Sequence, residues 1–305
     1  MKRVVITGPT GTIGIALINL LIKEGIEVTA VCRKGSVRKK NIPEDAKVKC
    51  IELDLDSLKS LPQILGESYD VFYHFGWDGT FGNSRNNMKG QLDNISYTLD
   101  AVEAASQIGC KKFIGAGSQA EYGRVEGLLT PDTPVFPENG YGIAKLCAGQ
   151  MSRILCEQKK IEHVWTRILS VYGPHDGENT MIMSTIRKLL NGEVPNLTKG
   201  EQQWDYLYSK DAAKAMYLMG LYGKHGKTYC IGSGGTRQLL EYVKIMRNEI
   251  NESAELGIGA IPYAEKQVMH LCADIQSLTE DTGFIPEYSF EQGILETINW
   301  YKGRE

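Results

Sequence analysis

An apolar run, Arg3-Val4-Val5-Ile6-Thr7, breaks directly into Gly8-Pro9-Thr10-Gly11-Thr12-Ile13-Gly14 and then into a segment of helical period that ends at Lys23. Few folds satisfy that order. A strand that turns into a helix within a few residues opens a βαβ unit, and glycines at the turn let backbone replace side chain where the two elements meet. The first N–H groups of such a helix form a site for an anion, above all a pyrophosphate. The spacing G-x-x-G-x-x-G differs from the commoner G-x-G-x-x-G, and 33 glycines in 305 residues make chance triplets easy. The plain alternative is therefore a tight turn with no ligand. The flanking strand and helix favour a dinucleotide, with Gly8, Thr10, Gly11, Thr12, Ile13 and Gly14 around its phosphates.

The same rhythm continues. Strands are expected at Arg3–Thr7, Glu27–Cys32, Val48–Glu52, Val71–Phe75, Lys112–Ala116 and His163–Leu169, alternating with helices at Gly11–Lys23, about Leu58–Leu65, Met88–Ile108 and Tyr141–Gln158. This alternation predicts the α/β class, as a Rossmann-type doubly wound parallel sheet. After Leu169 the period changes, with helices expected at Met181–Asn191, from about Ser209, at Arg237–Ile250 and at Phe290–Tyr301. The reading is a dinucleotide-binding domain over residues 1–170, with a returning segment at about 205–225. A smaller, discontinuous substrate lobe occupies most of 171–305.

The charge balance, 34 Lys and Arg against 37 Asp and Glu, gives −3 overall. No global field draws the chain to nucleic acid or to an anionic membrane, so an anionic ligand must be held locally. Seven scattered cysteines without a C-x-x-C pair, and histidines without ligand spacing, predict free thiols, a cytoplasmic setting and no metal. Lys2 and Arg3 run straight into the first strand, leaving no apolar stretch for a secretory signal. The longest apolar run, Ile13–Ile22, is interrupted by Asn19 and is about half of the roughly 20 residues a membrane span needs. There is no G-x-S-x-G elbow to support a serine hydrolase.

Cofactor type turns on the end of the second strand, Val31-Cys32-Arg33-Lys34. An acidic residue usually takes the adenosine ribose hydroxyls of NAD at this point, and two cations suit a 2′-phosphate instead. NADP(H) is favoured over NAD(H), and the alternative is a solvated basic loop running on through Arg38, Lys39 and Lys40. Asp54 is placed against the adenine amino group, and Leu55, Phe75 and Ile168 along the cofactor cleft.

The candidate chemistry lies at Tyr141 and Lys145, one turn apart on a helix face, and at Ser118, which follows the fifth strand in Gly115-Ala116-Gly117-Ser118. A nearby ammonium favours a phenolate, making Tyr141 a usable proton donor or acceptor. Lys145 can also reach the nicotinamide ribose, and Ser118 can anchor a carbonyl oxygen or, alternatively, cap a turn. The spacing alone decides nothing, because Tyr206 and Lys210 repeat it.

With these residues in place, the chain resembles the NAD-dependent epimerase/dehydratase family, the extended short-chain dehydrogenases that act on nucleotide sugars. The family's glycine turn matches Gly8, Gly11 and Gly14, its active-site Ser or Thr matches Ser118, and its Tyr-x-x-x-Lys matches Tyr141 and Lys145. Weaker matches are His74, Asn94, Arg167 with Val171-Tyr172-Gly173-Pro174, and Asp211-Ala212-Ala213. Two departures narrow the reading. Gln119 and Ala120 stand where sugar dehydratases carry Asp-Glu, so dehydration is not expected, and Glu121 is one position off and faces elsewhere. Trp204 stands where much of the family has the Arg that holds the substrate diphosphate, so Arg187, Lys199 or Arg237 would have to compensate.

The resemblance implies substrate contacts at Ser118, Gln119, Tyr141, Asn179, Arg187, Trp204 and Arg237. It also implies a homodimer paired through helices Met88–Ile108 and Tyr141–Gln158. The wording Ser-Gln-Ala-Glu-Tyr-Gly and Gln-Trp-Asp-Tyr is similar to that of 4-ketoreductases of the CDP-abequose synthase kind. The expected function is therefore NADPH-dependent reduction of a nucleotide-linked 4-keto-6-deoxy sugar, with Tyr141 as proton donor. The alternatives are a nucleotide-sugar 4-epimerase with tightly held NAD(P) and, more distantly, a non-catalytic dinucleotide sensor.

Overall fold

A computed structural model describes residues 1–66 and 68–304. Seven parallel strands form the central sheet: β1 (Arg3–Thr7), β2 (Glu27–Cys32), β3 (Val48–Glu52), β4 (Val71–His74), β5 (Lys112–Ser118), β6 (Glu162–Ile168) and β10 (Thr228–Ile231). Their order is β10-β6-β5-β4-β1-β2-β3. The winding reverses between β1 and β4, whose Thr7 and His74 are register partners. A doubly wound sheet opens its ligand crevice at that point, beyond the carboxyl ends of the strands.

Burial on both faces explains why β1, β2 and β4 read as apolar runs rather than alternations, whereas β3, at the sheet edge, alternates and is only partly buried. On one side Val4 and Ile6 pack with Leu17 and Leu21 of α1 (Thr12–Lys23) and Met216 and Met219 of α6 (Ser209–Tyr222). On the other, Val5 packs with Ala101, Val102 and Ile108 in and just beyond α3 (Met88–Gln107) and with Cys156 of α4 (Gly140–Lys159). Fully burying one such aliphatic side chain is worth roughly 1.5–3 kcal/mol, so the two helical layers outweigh any single turn or cap.

Several boundaries differ from expectation. β5 runs two residues further, to Ser118, because Glu162 to Ile168 pair with it along its whole length. β4 stops at His74, and Phe75 begins the segment beyond it. The helix expected about Leu58–Leu65 is a 3₁₀ turn over Leu55–Ser60 followed by the short α2 (Leu61–Leu65), since Pro62 fits only a first helical turn. β10 was not anticipated: four residues between Gly226 and Gly232 are too few for a period to show. Arg237 and Gln238 form a short strand, and the helix following them, α7 (Leu239–Asn251), begins two residues later than expected.

Beyond the sheet, β7 (Ser170–Tyr172) pairs with β9 (Tyr206–Tyr208), and β8 (Gln203–Trp204) lies between two further short strands. A second core joins α5 (Met181–Leu190), α7 and the helix Phe290–Lys302 around Tyr172, Tyr242 and Phe290. The Tyr242 and Phe290 rings meet edge to face at 4.5 Å. No helix among the described residues is long and apolar enough to cross a membrane.

Candidate active site

The first turn is built by exclusion. Gly8 adopts φ +65°, and a Cβ there would lie 2.7 Å from the Gly76 nitrogen. A Cβ at Gly14 would lie 2.5 Å from the Pro9 carbonyl oxygen. Gly8 lets the segment after β4 pack on the turn, and Gly14 lets the start of α1 pack on Pro9. Gly11, the N-cap, differs: its Cβ would meet nothing closer than the Gly8 oxygen at 4.0 Å. Open space therefore lies beside the first-turn N–H groups of Thr12, Ile13 and Gly14, which have no helical partner. A dinucleotide pyrophosphate fits what this turn offers, with Thr10 between the glycines. The Thr12 hydroxyl is committed elsewhere, donating to the Pro174 carbonyl at 2.7 Å.

The remaining cofactor candidates line the same sheet edge. Arg33 is exposed at the end of β2. Of its basic neighbours, Lys39 pairs with Glu52 at 2.5 Å and Arg38 donates to the His175 carbonyl at 2.6 Å, while Lys34 and Lys40 are exposed like Arg33. Asp54, beyond β3, accepts from the Lys34 N–H at 3.1 Å. Leu55 packs on Gly76, Phe75 follows β4, and Ile168 is the register partner of Ser118. His74 is a tie rather than an acid: Thr7 Oγ1 bonds its Nδ1 at 2.9 Å and Thr98 Oγ1 its Nε2 at 3.4 Å. Burial pushes its pKa down to about 3, keeping the ring neutral.

Ser118 and Tyr141 are brought together by backbone contact. Asn139 caps α4 by accepting from the Gly142 N–H at 2.9 Å. A Cβ at Gly142 would lie 2.3 Å from the Ala120 oxygen, so the helix start presses on the turn after β5. The first turn of α4, which carries Tyr141, therefore lies against the turn that carries Ser118. Ser118 Oγ accepts from the Ala120 N–H at 3.2 Å; this cap uses a lone pair and leaves the O–H free to donate.

Lys145 is buried. Its Nζ donates to the Ala116 carbonyl at 2.5 Å and stands 3.7 Å from the centre of the Trp77 ring, but 5.8 Å from that of Tyr141. Burial pushes its pKa down to about 7, against the pull of Glu121. Tyr141 is raised above the usual tyrosine range by burial, while the Ser118 hydroxyl and the Arg85 charge draw it back.

Glu121 turns into the sheet, as its offset position suggested. Its Oε1 accepts from the Ser118 N–H at 2.8 Å and from Trp165 Nε1 at 3.0 Å, and Arg167 Nε pairs with its Oε2 at 3.0 Å. Burial raises its pKa against these partners. It braces the turn that carries Ser118, and Gln119 and Ala120 supply no acid or base beside it.

Two side chains at the centre of the site were missed by sequence reasoning, Trp77 and Arg85. Both come from the segment after β4, which Asn94 pins by two bonds of 2.9 Å to the backbone of Asp78. Their one available signal was position, on a loop leaving the carboxyl end of a central strand.

The substrate candidates are less convergent. Asn179 lies at a cavity of about 330 Å³ between α5 and α7, shared with Lys188, Thr198, Gln202 and Leu240. Arg187 is half-buried on α5, and its neighbour Lys188 takes the cavity wall. Trp204 Nε1 bonds Ser170 Oγ at 2.8 Å, tying β8 to β7. Arg237 is paired with Glu291 at 2.5 Å. No cluster of three or more His, Cys, Asp or Glu able to hold a metal ion occurs among the described residues.

Comparison with known proteins agrees with this fold. A family model described as NAD dependent epimerase/dehydratase matches residues 4–232. A dTDP-glucose 4,6-dehydratase of Xanthomonas campestris pv. campestris is 27% identical over 201 residues, in a match that takes in 62% of this chain and 57% of that protein. A putative UDP-glucose 4-epimerase of Methanocaldococcus jannaschii is 27% identical over 98% of both chains. Among solved structures, a UDP-N-acetylglucosamine 4-epimerase of Methanobrevibacter ruminantium in complex with UDP-N-acetylmuramic acid superposes with a TM-score of 0.91. It is 25% identical and covers 100% of this chain and 99% of that one.

Proposed function

This chain belongs to the NAD dependent epimerase/dehydratase family, and from that premise we propose that it reduces a nucleotide-linked 4-keto-6-deoxy sugar with NADPH. One observation carries the reading: the first turn of α4, which bears Tyr141, packs on the turn that bears Ser118 at the carboxyl end of β5, on the side of the sheet that begins with the glycine turn. The turn and the first N–H groups of α1 would hold the pyrophosphate, Arg33 the 2′-phosphate, Asp54 the adenine amino group and Lys145 the nicotinamide ribose. Bound there, the reduced nicotinamide supplies the hydride.

The protein's own work is orientation and proton transfer. Ser118 donates its free O–H to the carbonyl oxygen and holds the carbon in line. Tyr141 gives its phenol proton to the same oxygen as negative charge develops on it. The Glu121 brace keeps Ser118 in register with Ile168 while that happens. Loss of water is disfavoured because Gln119 and Ala120 carry no acid or base and Glu121 is held by Arg167 and Trp165.

The choice of NADPH rests on Arg33, exposed at the end of β2. A second reading, a 4-epimerase, is favoured by the end-to-end match to a relative of that kind. Both use the same two oxygens. We also propose a homodimer, since Leu92 on α3 and Ile143, Met151 and Ile154 on α4 are exposed apolar residues on the two helices expected to pair.

The test follows loss of reduced-nicotinamide absorbance with NADPH and with NADH, against CDP- and dTDP-4-keto-6-deoxyhexoses. Faster oxidation of NADPH supports the reductase. Interconversion of UDP-glucose and UDP-galactose without net cofactor turnover would replace it with the epimerase.

A further inference from the structure

The cation closest to the Tyr141 ring is not Lys145. Arg85 places its Cζ 4.7 Å from the ring centre, against 5.8 Å for Lys145 Nζ. Lys145 is occupied instead with the Ala116 carbonyl and the Trp77 face. Arg85 Nε is buried and has no acceptor among the described residues, so the guanidinium is not held there by hydrogen bonds of its own to the fold. Its loop is nevertheless fixed on both sides: Asn86 Oδ1 accepts from the Gly140 N–H at 3.0 Å, and Gln91 Nε2 donates to the Ser84 carbonyl at 3.1 Å. Gln91 also takes the Trp77 indole N–H at 2.9 Å, so the same buried amide positions both missed side chains.

We propose that Arg85 is a positioning residue for proton transfer, supplying a fixed positive charge, in addition to that of Lys145, against which the Tyr141 phenolate forms. The proposal rests on the proton-donor role given to Tyr141 above. When the phenol passes its proton to the substrate oxygen, the O–H bond breaks and the electron pair stays on the phenolate. A guanidinium carries its charge throughout the working range and attracts the electron-rich ring face. A buried amine does not have that constancy, because burial disfavours its charged form.

Every group that faces the phenol enters the balance. Burial opposes the anion most. The Ser118 hydroxyl, at the end of β5, and Arg85, from the loop before α3, favour it, and Glu121, in the turn after β5, opposes it. Glu121 is largely compensated by Arg167 at 3.0 Å. Lys145, on the same helix as Tyr141, is the more distant cation.

The experiment reads that one phenol directly. A difluorinated tyrosine, which ionises nearer neutrality, is incorporated at position 141 of the full chain, and its fluorine resonance is titrated with pH. The parent is compared with Arg85→Gln, Arg85→Lys and Lys145→Met. The midpoint is expected to move to higher pH in Arg85→Gln, to return most of the way in Arg85→Lys, and to move to higher pH in Lys145→Met as well. An unchanged midpoint in Arg85→Gln overturns the proposal. The titration needs no substrate, so it stands if no sugar is turned over. Turnover accompanied by a flat Arg85→Gln titration removes the Arg85 role alone.

Discussion

The glycine turn at residues 8–14 and the segment at residues 75–87 leave neighbouring strands, touch at Gly8 and Gly76, and border the same crevice. They are built on opposite principles. The turn works by what it lacks: at Gly8 and Gly14 a Cβ would collide with backbone, and at Gly11 open space is left beside unpartnered N–H groups. The segment after β4 works by what it adds, an indole on the Lys145 ammonium and a guanidinium on the Tyr141 ring. A site made of backbone tolerates few residue types and so writes itself into the chain as glycine. A site made of side chains can be assembled in many ways, and no spacing rule announces it.

The widest separation between the two principles is expected at the proton donor. Tyr141→Phe should lower kcat by about a hundred- to ten-thousand-fold while dinucleotide affinity, measured by fluorescence titration, stays within a few-fold. An equal loss in both would mean that the phenol belongs to the binding surface. Next, Gly8→Val, forced to φ +65° and against the Gly76 nitrogen, should destabilise the fold by about 3 kcal/mol, read from urea midpoints. Gly11→Ala should weaken dinucleotide binding with little change in midpoint. If the two variants behave alike, the distinction drawn between packing glycines and an open cradle fails.

Arg33→Ala should raise KM for NADPH by about ten- to a hundredfold, as loss of a charged hydrogen-bond partner does, and leave NADH unaffected; steady-state kinetics with both cofactors decides. The last prediction concerns pH. Because burial pushes Lys145 down to about 7, the unfolded chain holds the extra proton between that point and the ordinary lysine range. Stability of the dinucleotide-free protein therefore rises with pH across that window and is lowest below it. Lys145→Met should remove this slope, so its advantage over the parent is greatest on the acid side and fades as pH approaches about 10. Parallel thermal-unfolding curves across pH would show that the ammonium is stabilised in place by Trp77.

Much of the sheet was legible because each central strand is buried on both faces and each helix carries one apolar stripe, patterns that survive without tertiary context. β10 escaped notice because four residues carry no period, although Tyr229, Cys230 and Ile231 are fully buried beside β6. In the site, Ser118, Tyr141 and Lys145 were found through their spacing and their place after strands. What each one touches was not. Ser118 caps the turn after β5, and Lys145 lies against Trp77 and Ala116. Trp204 and Arg237 were nominated for the substrate, and the structure shows them engaged with Ser170 and Glu291.

Periodicity, glycine placement and short spacings were enough for the α/β class and for singling out the glycine turn, Ser118, Tyr141 and Lys145 as candidates, since each is a rule acting over one or two turns of chain. The electrostatics around the acid were settled by packing. Arg85 reaches Tyr141 only because Asn86 and Gln91 fold its loop back onto the start of α4. Attraction between charges depends on distance through space, and nothing in the order of residues specifies that distance until the loop has closed.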